Sequence, residues 1–204
     1  MAQIKLNATY GLTGTLPAVS GANLTNLDAR DLENALPAIS GASLTGISGG
    51  IVHAEMFRLN STATGEHDPL TDWTTTNGTA SQGRIGSGMS VSSGVFTFPA
   101  TGIWRIEFNA YFYRGVADAQ CRILIKNNSG TEITKSIQSV SDANYYAHQY
   151  TSCMLDVTDV ATDANKIKFE WEDVGATDGG TSAKLQGTAS FTATHVVFTR
   201  YGDT

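Results

Sequence analysis

From Ile103 to Tyr113 the chain alternates without a break. Trp104, Ile106, Phe108, Ala110 and Phe112 fall at one parity, and Arg105, Glu107, Asn109, Tyr111 and Tyr113 at the other. Successive side chains of a strand point to opposite faces, so this run predicts a long β-strand whose first face is buried in a core. The second face carries two tyrosines, which a single sandwich would leave bare, and the pattern predicts that this face is covered as well. Shorter runs at 51–59, 95–98, 121–126, 145–157, 166–171 and 195–201 read as further strands. They are punctuated by Asn77-Gly78, Ser93-Gly94, Pro99 to Gly102, Asn127 to Gly130 and Gly175 to Gly180. No amphipathic helix of globular length appears after residue 50. The expected class is therefore all-β, an antiparallel sandwich over residues 51–204.

The first fifty residues have a different character. LPAVSGANLTNL, starting at Leu16, returns as LPAISGASLTGI, starting at Leu36, with eight of twelve positions identical at a period of twenty. A duplicated stretch rich in Gly, Ser and Thr cannot close a core alone. It nevertheless keeps apolar residues at Leu16, Val19, Leu24 and Leu27, and again at Leu36, Ile39, Leu44 and Ile47. This strip predicts a partner, either further copies of the chain or the surface of a larger particle. Between the copies, Asp28 can cap a short helical turn with Leu32 and Leu36 on one face, and Pro37 prevents its continuation. Residues 1–50 thus read as an extended docking arm with short helical turns, against the plainer alternative of a disordered linker.

Composition narrows the function. The chain has 204 residues and a formal net charge of -6, with its 13 basic residues scattered, which argues against binding a nucleic-acid backbone. No run approaches the length of a membrane span, and the start MAQIKLNATY lacks the apolar centre of a secretory signal, so no membrane insertion is expected. Cys121 and Cys153 each lie in a strand-like run. Packed thiols and a disulfide both remain open, because the spacing does not give a Cα separation.

Catalytic and metal readings find little support. His53, His67, His148 and His195 lie far apart, and none has metal-ligand spacing on a helix. Gly83 to Gly88, GRIGSG, lacks the spacing of a phosphate-binding loop and reads as a turn. Asp156, Asp159 and Asp163, and likewise Glu170, Glu172 and Asp173, lack the order of a calcium loop and read as solvated strand ends. The expectation is a protein without catalytic residues, cofactor or metal.

Aromatic residues are the more informative candidates. Tyr111, Tyr113, Tyr146 and Tyr150 fit a subunit interface, with a sugar-stacking platform as the alternative. Trp73 sits in a Thr-rich stretch within 65–82. Together with the segment 173–184 it suits contact with a host-surface glycan, or else it packs beneath its loop as a lid on the sandwich.

Two resemblances extend this reading. Gly94-Val95-Phe96-Thr97-Phe98-Pro99, followed by Thr101-Gly102-Ile103-Trp104-Arg105-Ile106-Glu107-Phe108, resembles the jelly roll of complement-type globular heads and tumour-necrosis-factor-like domains. There a strand of form G-x-F-x-x-P leads through a glycine turn into an aromatic central strand. That resemblance implies a homotrimeric head. The repeats of the arm, next to MAQIKLNATYGLTG, look like N-terminal regions of structural proteins of tailed bacteriophages. Together they imply a virion-surface protein, a fibre or spike joined to other virion proteins by residues 1–50. Host attachment, capsid decoration and a lectin-like module remain its alternative roles.

Overall fold

The computed structural model describes residues 50–77, 80–81, 83–116, 119–175 and 183–203, all within the unit Ser48–Thr204. The docking residues Leu16, Val19, Leu24, Leu27, Leu36, Ile39, Leu44 and Ile47 lie outside them. The described chain forms β1 (His53–Leu59), β2 (Ala63–Thr64), β3 (Trp73–Thr74), β4 (Thr76–Asn77), β5 (Ala80–Ser81), β6 (Arg84–Ile85), β7 (Ser90–Ser92) and β8 (Val95–Thr97). It continues as β9 (Gly102–Arg114), β10 (Ala119–Asn127), β11 (Glu132–Val140), β12 (Tyr145–Val157), β13 (Ile167–Val174), β14 (Ala183–Leu185) and β15 (His195–Gly202). One 3-10 turn, Asp163–Asn165, stands before β13. The head is all-β, as the alternation predicts.

Two antiparallel sheets make the sandwich. In the first, β15 lies between β9 and β1, β12 runs along the other edge of β9, and short strands β14, β2, β3 and β6 extend the margins. The second has the order β11-β10-β13-β8-β7. The chain crosses between the sheets after β6, β8, β9, β11, β12 and β13, so neighbours in space are mostly distant in sequence. The hairpin joining β7 to β8 is the Ser93-Gly94 turn expected from sequence. Both residues have positive φ, 49° and 81°, which is the twist a two-residue hairpin demands. Gly94 is required twice over, since a Cβ there would meet the Leu70 carbonyl oxygen at 2.4 Å.

Between the sheets lies an aromatic core. Phe96 packs edge-on against Phe57 at 5.1 Å and Phe169 at 5.4 Å, and Phe108 meets Phe169 at 5.1 Å. Trp104 is buried, stacks obliquely on Phe98 at 4.9 Å, and donates its indole N–H to the Ala100 carbonyl at 3.1 Å. The burial of β9 alternates without exception along its length, so the parity read from the sequence is the parity of the strand.

Several local readings change. Strand β11 was not expected, because EITKSIQSV carries no clean alternation, yet it pairs with β10 from Ala119↔Val140 to Lys126↔Glu132. Gly83 to Gly88 includes the short strand β6, which pairs with β1 at Ala54↔Ile85. Both cysteines are free thiols, and burial pushes each up to about 11, so neither is a ready nucleophile. Asp163 binds Lys166 at 2.9 Å and Asp159 accepts the Ala161 amide at 2.8 Å, which orders the turn before β13.

Candidate subunit interface

The outer face of the first sheet is built on β9 and β12, paired throughout from Gly102↔Val157 to Arg114↔Tyr145. With the core parity of β9 turned inward, Tyr111 and Tyr113 must face out. The register places His148 opposite Tyr111, Tyr146 opposite Tyr113, and Tyr150 opposite Asn109. All four tyrosines anticipated from sequence therefore stand on one face. Tyr146 is 55% exposed and Tyr150 45% exposed. Tyr111 stacks on His148 at 4.5 Å and on Tyr146 at 5.8 Å, while Tyr113 tilts against Tyr146 at 4.7 Å and donates its hydroxyl to Asn144 at 2.6 Å. The result is an aromatic ladder, held in shape before anything binds it.

On the other side of β9, strand β15 adds His195 opposite Asn109, Val197 opposite Glu107 and Thr199 opposite Arg105. Strand β1 then adds Met56 opposite Val197 and Arg58 opposite His195. Arg58 is buried, and its guanidinium donates to the Thr76 and Thr188 carbonyls, so the loops over β1 close this margin. At the opposite end, Arg105 donates to the Tyr150 hydroxyl at 3.1 Å and pairs with Glu107 at 2.7 Å. Its pKa is raised, first by a hydrogen bond with Tyr201, then by Tyr150 and by the Glu107 carboxylate. Met154, 56% exposed, and Tyr201 border a shallow hollow floored by Ser152 and Cys153.

The second sheet presents a contrasting outer face. Arg122 meets Glu172 at 3.5 Å, Lys126 pairs with Glu170 and reaches Asp68 at 3.6 Å, and Lys168 meets Asp68 at 2.7 Å. Burial is the first cause of a raised Glu170 pKa, and Lys126 opposes it. Such a mesh of paired charges satisfies itself in water. Among the described residues, the aromatic face of the first sheet carries the ion pair of Arg105 with Glu107 amid its rings and thioethers, which is the composition of a contact surface.

Trp73 takes the second of the two places the sequence left open to it. It is only 9% exposed, packs edge-on against Phe96, Phe108 and Phe169 at 5.7 to 6.3 Å, and donates its indole N–H to the Leu70 carbonyl at 2.9 Å. Backbone pairing of Leu59 with Trp73 draws the segment into the sheet, and the ring is a lid on the core. The loops around it are also partly tied down. Leu70 is buried, His67 bridges to the backbone of Trp171, and Ala183–Leu185 joins the first sheet beside β9.

Sequence reasoning missed His148, His195, Met154, Val197 and Met56 as members of the aromatic face. Their parity was legible, but the neighbouring of β12, β9, β15 and β1 was not.

No protein-family model matches this chain, and no curated protein matches it in sequence. Among solved structures it is similar to the Eiger TNF of S. frugiperda, at 13% identity over 76% of this chain and 96% of that one, with a TM-score of 0.53. It is also similar to murine APRIL at pH 5.0, at 13% identity over 73% of this chain and 98% of that one, with a TM-score of 0.50. The head is a TNF-like jelly roll. At this identity the likeness is one of fold.

Proposed function

We propose that the chain is a non-enzymatic structural protein that assembles as a homotrimer through the aromatic face of β12, β9 and β15. In this reading it forms the head of a projection on a tailed-phage virion. The observation that carries the assembly is the asymmetry of the sandwich, one outer face closed by ion pairs and the other an unpartnered aromatic ladder. A trimer is what the jelly-roll resemblance implies, and a three-fold ring lets one face serve every subunit in the same way. The test is native mass spectrometry or light scattering of the purified chain. Tyr146→Ala should raise the trimer dissociation constant by about thirtyfold, in line with the roughly 2 kcal/mol of an aromatic anchor at an interface. Glu172→Ala, on the charged face, should leave it unchanged. A chain that stays monomeric at tens of micromolar sinks the reading.

The virion role rests on the repeat-bearing arm, whose spaced aliphatics need a surface to lie against. Removal of residues 1–47 should leave a folded head that no longer enters the particle, read by counting subunits in purified virions. Normal incorporation of the shortened chain would assign docking to the head. Between attachment and decoration, the burial of Trp73 favours decoration, because it removes the aromatic side chain proposed to meet a host glycan. Copy number discriminates the two, with hundreds of subunits per particle for a head decoration and far fewer for a tail appendage.

A further inference from the structure

We infer that His195 makes assembly through the aromatic face sensitive to acid, so that the trimer loosens as the pH falls below neutrality. This device rests on the reading of that face as the subunit interface.

His195 stands at the first position of β15, on the outer parity, directly between Asn109 of β9 and Arg58 of β1. Its Nδ1 is buried and has no partner in hydrogen-bonding geometry. A neutral ring tolerates such a site with an idle lone pair, but a protonated ring has two donors and brings a charge into a site where Nδ1 has no partner in good hydrogen-bonding geometry.

The surroundings compensate only in part, through the Ala193 backbone and the Glu107 carboxylate. From β1 comes the Arg58 guanidinium, whose partners at Thr76 and Thr188 are uncharged carbonyls. From β12 come His148, which acts against a positive His195, and Tyr150, already a partner of Arg105. From β9 come Tyr111, Asn109 and the carboxylate of Glu107, which is engaged by Arg105 at 2.7 Å. Burial lowers the His195 pKa, and the Ala193 backbone and Glu107 act in the other direction without reversing it.

A second copy laid over this face would remove more water from His195. The sign follows from linkage. The free subunit already holds His195 below the ordinary histidine value of about 6.5; with the pKa lowered further on assembly, the stabilisation is complete above the free subunit's value and is lost as the pH falls through the assembled one. Each further unit of depression on assembly is a factor of about ten in the association of that subunit.

Sedimentation equilibrium of the full chain at about pH 7.5 and about pH 5, at constant ionic strength, tests this against His195→Gln and His195→Asn. Circular dichroism would follow the fold in parallel. The expected result is a trimer dissociation constant that rises about tenfold or more in acid for the natural chain, and less than about threefold for whichever variant retains the β-sheet spectrum. An association equally strong at both pH values overturns the device and leaves the trimer standing. An equal acid response in the natural chain and the variant overturns it too, as does a loss of assembly that only tracks loss of the β-sheet spectrum in both. A monomer at both pH values overturns the interface itself, and the device with it.

Discussion

Asp173→Asn is expected to destabilise the head by about 3–5 kcal/mol, with little change in side-chain volume. Asp173 on β13 pairs with Arg114 at the end of β9, and neither side chain has any exposed surface. The pair joins the two sheets at their interior. Among the described residues, the Arg114 guanidinium otherwise donates to the Val116 carbonyl, at 3.4 Å through Nε. Removal of the carboxylate charge strands a guanidinium in a medium that cannot solvate it, which costs far more than the pair contributes while intact. Asparagine keeps the size of the side chain, so a cavity is not the source of the loss. The double variant Arg114→Met/Asp173→Leu should recover much of it, because neither charge then remains to be desolvated. Urea unfolding at a fixed protein concentration is the measurement, with the midpoint lowered and the slope unchanged. A loss of less than about 1 kcal/mol in the single variant would mean that the guanidinium finds another partner when Asp173 is neutral.

The second large effect belongs to Trp73. Its replacement by alanine should cost about 3–5 kcal/mol, since it empties a site bounded by Phe96, Phe108 and Phe169 and leaves the Leu70 carbonyl without its donor. In a domain of this size the loss should lower the melting temperature by roughly 10 °C. Adsorption per folded particle should not change. Phenylalanine should lose less, because it restores most of the ring contact and forfeits only the hydrogen bond. A Trp73→Ala protein that melts like the natural chain but adsorbs poorly would return Trp73 to the surface and to host recognition.

These two residues mark where sequence reasoning stopped. Trp73 is flanked by Asp72 and by Thr74 to Thr76, which read as a loop, and its burial follows from a two-residue pairing with the end of β1 that no local pattern announces. Strand β11 was illegible for a related reason. It lies at the edge of its sheet, where a mixture of Thr, Lys, Ser and Gln is tolerated, so it has no need of the alternation that marks β9. The Ser93-Gly94 turn was legible because its chemistry is local, two positive φ angles in sequence.

The tandem tyrosines show the same boundary more sharply. Tyr146 faces the ladder and Tyr145 does not, because Tyr146 stands opposite Tyr113. A slip of one residue would exchange them and turn His148 and Tyr150 inward.

What the sequence by itself determined is parity: which side chains of each strand share a face, and that one strand has an aromatic second face in need of cover. Parity is local, set by the geometry of two successive residues, and a single strand displays it in full. Only the tertiary structure decided adjacency and register. It placed β12 and β15 on either side of β9, collected Tyr146, His148, Tyr150 and His195 into one surface with Tyr111 and Tyr113, and set a mesh of paired charges on the far side of the sandwich. These choices are made between segments far apart in the chain, where alternative pairings differ little in backbone hydrogen bonding. The packing of Phe57, Phe96, Phe108, Phe169 and Phe198 in one shared core is what separates them.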